Sequence, residues 1–478
     1  MTKERLITLA KILGVVLSLY FFIVGIRGMG EAFKIVNKQE PSRVVILLKG
    51  DETLAEKARA SLAAEKNEQG EPIFVDLGRP TVAVKGEQVT LQFIYNDGKL
   101  KDAFVAKVRE HLKQPEVLGV DVVVSVKGIK NLAGKLMDAT SAKSGQARLD
   151  AQVTLKLAVL GFFIGVLVTS IVQSSSTTTS IIVGMVAAEA IGVRGAIFMV
   201  MGANLGTTIT AKLVSLGHIT RTAEFRRAFA AASVHDAFNL ITTAILFPLE
   251  YFFGVLYHSS LWLTEVFENM GGIKLGDPLK AATGVAVEGL SRLLGEHPFL
   301  VLLVSVVLTF LMLWSIVKLL QSLVLKKLEA FFDAFLFRNV AIAFVVGIIL
   351  TVLVQSSSIT TSLIIPLAGA GVLRLSQVFP YTMGANLGTT VTGMLAALAT
   401  TNPAAITVAF AHSLFNIFGA VIFLPFRRIR EIPIYFAEQL SEFCLKNRLI
   451  PFAIILLVFF VIPLIFTWST LAEIFNNQ

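Results

Sequence analysis

Thr169-Ser-Ile-Val-Gln-Ser-Ser-Ser-Thr-Thr-Thr-Ser180 returns almost unchanged as Thr351-Val-Leu-Val-Gln-Ser-Ser-Ser-Ile-Thr-Thr-Ser362. A second motif follows each copy: Met201-Gly-Ala-Asn-Leu-Gly-Thr-Thr208 and Met383-Gly-Ala-Asn-Leu-Gly-Thr-Thr390. Gln173 and Gln355 stand 182 positions apart, as do Asn204 and Asn386, and Gly165 and Gly347. Two matched motifs at one spacing identify an internal duplication, which decides the fold before any local propensity is considered.

The setting of these polar motifs is apolar. The chain of 478 residues is 55% hydrophobic and only 16% charged, too little polar surface for a soluble protein of this length. Runs long enough to span a bilayer, roughly 20 residues at 1.5 Å each, include Ile12–Ile26, Phe229–Leu256, Phe299–Leu325, Ile406–Phe426 and Leu449–Trp468. The lipid bilayer is therefore the expected solvent. The net charge of +9 sits on Lys and Arg beside apolar segments, which points to membrane orientation rather than to nucleic acid. Cys444 is the sole cysteine, which excludes an intrachain disulfide and a thiolate metal site. The first apolar run is long and lacks a small-residue cleavage pattern, so it is expected to stay as the first helix.

The duplication extends in both directions. His235-Asp-Ala-Phe-Asn239 aligns with His412-Ser-Leu-Phe-Asn416 at an offset of 177, so the first half carries extra loop residues around Arg221–Arg227. Val15-Val-Leu17 resembles Val306-Val-Leu308 at an offset of 291. That offset against the later 182 places 109 additional residues in the first half. From about Lys38 to Arg148 the chain is charged, with strand-like runs at Val44–Leu48, Ile73–Leu77, Val89–Tyr95 and Val120–Val126, and helical patterns at Leu54–Ala64 and Leu100–Leu112. The expected fold is an all-α polytopic membrane protein of two inverted-topology repeats with re-entrant hairpins, plus a small soluble α/β domain inserted in the first repeat. The expected divisions are 1–37, first transmembrane helix; 38–148, inserted domain; 149–257, rest of the first repeat with a hairpin at 155–190; 258–297, extracytoplasmic loop; 298–426, second repeat with a hairpin at 338–372; and 427–478, an amphipathic segment and the last transmembrane helix.

Positive-inside counting orients this chain. Lys3, Arg5 and Lys11 place the N-terminus in the cytoplasm, and the first helix delivers the inserted domain outside. A loop holding Lys212, Arg221, Arg226 and Arg227 is then cytoplasmic, as are Lys326, Lys327, Arg338, Arg427, Arg428, Arg430, Lys446 and Arg448, while Thr400–Ala404 falls outside. The count closes only if each Gln-Ser-Ser-Ser segment enters and leaves on one side, the first hairpin opening outward and the second inward. That is the inverted arrangement of alternating-access carriers.

Non-helical backbone at membrane depth is tolerated only inside protein or beside a wet cavity. A hairpin tip there offers amide N–H groups and hydroxyls at helix starts, good donors to an anion, and hydroxyl and amide oxygens that can ligate a hard cation. The Gly-Ala-Asn-Leu-Gly-Thr-Thr motif is expected to break the following helix, with Asn204 and Asn386 offering carbonyl oxygens to sodium. Against this stands the bland alternative: Ser and Thr bond back to their own helix, and Gly and Ala serve helix packing. His235 and Asp236 fit a cytoplasmic-edge helix contact, with a buried ion pair or a proton relay as alternatives. A hydrolase is not indicated, since no Gly-x-Ser-x-Gly elbow is present and Ser174–Ser176 lack a context for activation.

On these residues the chain resembles the type II sodium–phosphate cotransporters and their bacterial relatives. The likeness rests on Val172–Ser180, Glu224–Phe229, Val234–Asn239, Val354–Ser358 and Gly384–Thr390. The resemblance implies that Gln173, Ser174, Ser175, Ser176, Gln355, Ser356, Ser357 and Ser358 line the phosphate path. It further implies that Gln173, Thr177, Thr178, Asn204, Gln355, Thr360, Thr361 and Asn386 serve sodium. No cofactor is expected, sodium being co-transported; the expected partners are inorganic phosphate, sodium ions and lipid. Departures from the family pattern are a short, cysteine-free connection at His258–His297, an inserted segment without counterpart, and no regulatory domain expected after Gln478. The function implied is sodium-coupled phosphate import. Another oxyanion, or a membrane sensor using the inserted segment, are the alternatives.

Overall fold

Glycine and serine, rather than apolar area, set the geometry of this protein. Lipid tails are as apolar as leucine, so helices in a bilayer associate by close packing and polar contacts. The computed structural model describes residues 3–39, 42–49, 81–85, 88–95, 119–123, 154–188, 190–272, 277–295, 297–335 and 339–476. The chain divides into two compact units, Met1–Glu31 with Gln152–Gln478, and Ala32–Ala151.

The helix α1 (Lys3–Gln39) belongs to the larger unit up to Glu31; in that unit it is followed by α2 (Leu155–Val172) and α3 (Ser175–Ala187), then by α4 (Val193–Gly206) and α5 (Ile209–Leu216). Next come α6 (Thr222–Phe253), α7 (Val255–Asn269) and α8 (Asp277–Leu293). The second half holds α9 (Pro298–Phe335), α10 (Val340–Val354), α11 (Ser357–Gly369), α12 (Leu375–Thr400) and α13 (Pro403–Phe423). The chain ends with α14 (Arg427–Leu445), α15 (Ile450–Leu456), a π turn at Leu457–Val461, and α16 (Ile462–Asn476). Among the described residues seven helices are long and apolar enough to cross a membrane. The protein is a multi-pass membrane protein.

The matched glycines of the two halves make equivalent close contacts. A Cβ on Gly165 would strike the Met199 carbonyl, and one on Gly202 the Phe162 carbonyl; in the second half the same clashes join Gly347 to Tyr381 and Gly384 to Phe344. Gly206 and Gly388 meet the Val166 and Ile348 carbonyls in the same way. These glycines let α4 lie against α2, and α12 against α10, at backbone contact. The expectation that Gly-Ala-Asn-Leu-Gly-Thr-Thr breaks its helix therefore holds in one copy only. The chain turns at Thr207–Thr208 between α4 and α5, but α12 runs unbroken through Gly384–Thr390. The glycines serve packing, and packing needs no break.

Helices α1 and α9 cross antiparallel. Ser18 and Ser315 share a hydrogen bond of 2.9 Å, Gly14 faces Leu319, and Gly25 abuts the Thr309 and Ser305 backbone. The stretch 258–297, expected as a loop, carries α7 and α8. Tyr257, Ser260 and Thr264 recur at helical spacing on the buried side of α7, a face too polar to read as a membrane span. Lys212 also differs from expectation: it belongs to α5 and is 1% exposed, so it is no loop charge.

The smaller unit contains a four-stranded antiparallel sheet ordered β2-β3-β1-β4, from β1 (Ser42–Lys49), β2 (Thr81–Lys85), β3 (Gln88–Tyr95) and β4 (Gly119–Val123). Ser42 faces Tyr95, and Arg43 lies between Ile94 and Val123. The expected runs at Val44–Leu48, Val89–Tyr95 and Val120–Val126 coincide with or overlap β1, β3 and β4, while β2 was not expected. Ile73–Leu77, Leu54–Ala64, Leu100–Leu112 and Arg338 lie outside the described residues.

Candidate functional site

Each Gln-Ser-Ser-Ser segment makes a two-residue reversal between helices. Gln173 takes left-handed backbone angles (φ 55°, ψ 29°) and its N–H closes on the Thr169 carbonyl at 2.7 Å. Gln355 repeats this at φ 56°, ψ 27°, onto Thr351 at 2.7 Å. A left-handed non-glycine costs on the order of 1 kcal/mol and persists only where the surroundings require it. Here it ends one helix so that Ser174 or Ser356, extended, caps the next. Ser174 Oγ accepts from the Thr177 N–H at 3.2 Å, and Ser356 Oγ from the Ile359 N–H at 3.4 Å. The first N–H groups of α3 and α11, on Ser175, Ser176, Ser357 and Ser358, have no carbonyl behind them within the helix. All four residues are buried.

The two tips meet. Ser358 Oγ donates to the Gln173 carbonyl at 3.3 Å, across 185 residues of sequence. Hydroxyls around the tips mostly bond back to their own helices, as the bland alternative requires. Thr178 Oγ1 donates to the Ser174 carbonyl, Thr361 Oγ1 to that of Ser357, and Thr360 Oγ1 reaches the Ser356 and Ser357 carbonyls. Thr177 Oγ1 lies 2.9 Å from Ser174 Oγ. Thr177, Thr178 and Thr361 donate within the tip and keep oxygen lone pairs to accept or to ligate, whereas Thr360 Oγ1 also meets Thr351 Oγ1 at 2.8 Å.

Asn204 and Asn386 lie in a separate buried network. His235 Nε2 is 2.7 Å from Asn386 Oδ1, Asn386 Nδ2 donates to Asn239 Oδ1 at 2.9 Å, and Asn239 Nδ2 donates to the Asn204 carbonyl at 2.8 Å. Asn416 Nδ2 reaches Asn204 Oδ1 at 3.3 Å. Four amides and an imidazole thus tie α4, α6, α12 and α13 together. Asn239 and Asn416 were not singled out from the sequence, although both sit in the pair of motifs that repeats at an offset of 177. Thr392 was missed as well: its hydroxyl donates to Gln355 Oε1 at 2.7 Å, and only its place just beyond Gly384–Thr390 marks it.

His235 and Asp236 divide between two partners. Asp236 pairs with Lys212 at 2.8 Å, and the Lys212 ammonium also reaches Ser233 Oγ at 2.5 Å and lies 4.0 Å from the Phe229 ring centre. The ion pair therefore joins Asp236 to Lys212 across α5 and α6, with Lys212 1% and Asp236 18% exposed, and not to His235, the ion-pair alternative open at sequence level.

Both hairpins are held at their far ends. Asn402, which caps α13, donates to the Ala187 carbonyl at the end of α3 at 3.1 Å. Arg227, near the start of α6, donates to the Gly369 carbonyl at the end of α11 at 2.8 Å. Ala187 and Gly369 are again 182 positions apart.

A duplicated, glycine-packed helical frame with two polar tips in contact defines a polytopic membrane protein with a shared polar centre. A family model described as Na+/Pi-cotransporter matches residues 126–276 and 308–437, and the chain belongs to that family. It is 33% identical over 382 residues to sodium-dependent phosphate transport protein 2A of Ovis aries, covering 64% of this chain and 60% of that protein. The identity to the Rattus norvegicus 2A protein is 33% over 380 residues, and to the Homo sapiens 2B protein 31% over 400 residues. The chain spans about 60% of the length of these curated relatives. No solved structure matches it.

Proposed function

We propose that this protein imports inorganic phosphate together with sodium ions by alternating access. The observation that carries the reading is the contact between the two tips, Ser358 Oγ on the Gln173 carbonyl. It brings two sets of helix-start N–H groups and serine hydroxyls to one place, a donor array suited to a tetrahedral oxyanion. Phosphate would sit between Gln173, Ser174, Ser175, Ser176, Gln355, Ser356, Ser357 and Ser358. Sodium would take carbonyl and hydroxyl oxygens from Gln173, Thr177, Thr178, Gln355, Thr360 and Thr361, and from Asn204 and Asn386 where the amide network opens.

Inverted repeats fit the same reading. Helices α1 and α9, which begin corresponding halves, cross antiparallel, as a two-fold axis in the membrane plane requires. The far end of α3 is held by Asn402, on the side assigned outside. That of α11 is held by Arg227, on the side assigned to the cytoplasm. The N-terminus is then cytoplasmic and the 38–148 segment extracytoplasmic.

Coupling is reciprocal by linkage, so phosphate binding strengthens with sodium and sodium binding with phosphate. The test is labelled-phosphate uptake into proteoliposomes with an inward sodium gradient, against potassium alone. Equal uptake in the two would overturn the coupling. Excess sulfate or arsenate in the same assay distinguishes phosphate from another oxyanion.

A further inference from the structure

In a duplicated frame, a bond made in one half and missing in the other marks a difference of conformation rather than of sequence. Three equivalent pairs differ in the same sense. Thr392 Oγ1 donates to Gln355 Oε1 at 2.7 Å, whereas its counterpart Thr210 has a buried hydroxyl oxygen with no partner and Gln173 stands exposed. Thr351 and Thr360 share a hydrogen bond of 2.8 Å, whereas the Thr169 hydroxyl is unpartnered, although Thr178 and Thr360 alike reach the carbonyl four residues back. His235 bonds Asn386 at 2.7 Å, whereas both ring nitrogens of the fully buried His412 are unpartnered and Asn204 Oδ1 is taken by Asn416. Buried polar atoms are costly to leave unpaired, so they are expected to have partners elsewhere in the working cycle.

We infer that Thr210, Thr392, His235 and His412 are positioning residues for transport, and that the opposite-facing conformation exchanges the three bonds. In that conformation Gln173–Thr210, Thr169–Thr178 and Asn204–His412 form as Gln355–Thr392, Thr351–Thr360 and Asn386–His235 break. The second tip is fastened in the present structure and the first is released. Exchange conserves the number of satisfied groups, so the two conformations stay close in energy, which a carrier that must visit both requires. Ser362 differs the other way, its hydroxyl unpartnered where Ser180 bonds the Ser176 carbonyl, but that is a back-bond within one helix and fixes no neighbour. The inference rests on the alternating-access reading and adds the residues that make the two states.

The test uses the full chain in proteoliposomes on a C444S background, with mercuric ion bridging engineered cysteine pairs. Thr351→Cys with Thr360→Cys reports the present conformation, and Thr169→Cys with Thr178→Cys the exchanged one. Gln355→Cys with Thr392→Cys replaces the first pair should it not fold. Replacing potassium by sodium, or adding phosphate, is expected to move the two bridging rates in opposite directions. Adding His235→Ala should lower the first rate and raise the second by about fivefold, the equivalent of the ~1 kcal/mol of one net hydrogen bond. His412→Ala should do the reverse, and glutamine at either position, which keeps an N–H donor, should restore the balance. Rates that rise and fall together, or that ignore both histidines, would overturn the exchange. Failure of sodium-driven phosphate uptake by the C444S parent, which keeps every residue of the two tips, with the opposed histidine effects intact in the cysteine pairs, would instead overturn the substrate assignment.

Discussion

At the scale of single residues, the sharpest energetic feature is the Lys212–Asp236 pair. Lys212 is 1% exposed, and its ammonium is held by one carboxylate, one hydroxyl and an aromatic face. Removing one member of a buried pair leaves the other charge without compensation, at about 3–5 kcal/mol. Lys212→Ala should therefore lower the melting temperature of the detergent-solubilised protein sharply. Lys212→Met combined with Asp236→Asn should recover most of the loss; equal melting of single and double variants would remove the pair from the stability account. Cys444 illustrates burial acting on chemistry. It is 1% exposed, and burial pushes its thiol pKa up to about 11. Only the thiolate is nucleophilic, so the native protein at pH 8 should react with iodoacetamide roughly a hundredfold more slowly than the unfolded chain. Residue identity was legible in the sequence wherever a motif repeated. The Lys212–Asp236 pair was not, because Met394 and Ser413 stand at the corresponding places of the second half and the duplication gives no hint of it.

At the scale of elements, the glycines decide how closely helices approach. The Cβ of an alanine at 202 or 384 would fall on the Phe162 or Phe344 carbonyl oxygen, an atom that moves only with its helix. Overpacking of this kind costs about 1–3 kcal/mol where side chains can yield, and backbone yields less. Gly202→Ala and Gly384→Ala should each reduce the folded yield, whereas Gly195→Ala, which meets open space, should match the parent on size exclusion. Parity among all three would show that close approach is not what these glycines supply. The hairpins themselves were readable from Gln-Ser-Ser-Ser in an apolar context, because left-handed glutamine and capping serine are local matters. The fate of Gly-Ala-Asn-Leu-Gly-Thr-Thr was not: one sequence gives a turn after α4 and continuous helix in α12, so surroundings decide it. Within 427–478, where an amphipathic segment is expected, α14 turns Pro433, Ala437, Ser441 and Cys444 toward the protein. Ile432, Phe436 and Phe443 lie exposed on another face beside Arg427, Arg428 and Lys446. Such a helix suits a membrane surface rather than a crossing.

For the molecule as a whole, the sequence yielded the duplication outright but the opposed orientation only through charge counting, and one of the counted charges, Lys212, proved to be buried. The remaining charges on that stretch, Arg221, Arg226 and Arg227, lie at the beginning of α6, and Arg227 is the residue that holds α11. That contact ties the orientation of the second hairpin to the side on which α6 starts. Asn402 ties the first hairpin to the start of α13 in the same way. Opposed repeats therefore predict that the connections after α3 and α11 lie on opposite membrane faces. Single cysteines at Thr401, beside the first latch, and at Arg374, just past the second, test this on a C444S background in intact cells. A membrane-impermeant maleimide should label the first directly, and the second only after permeabilisation. Labelling of both from outside, or of neither, would leave the two hairpins opening to one side. The same frame could not then present its tips alternately to the two faces, even if sodium-driven uptake were observed.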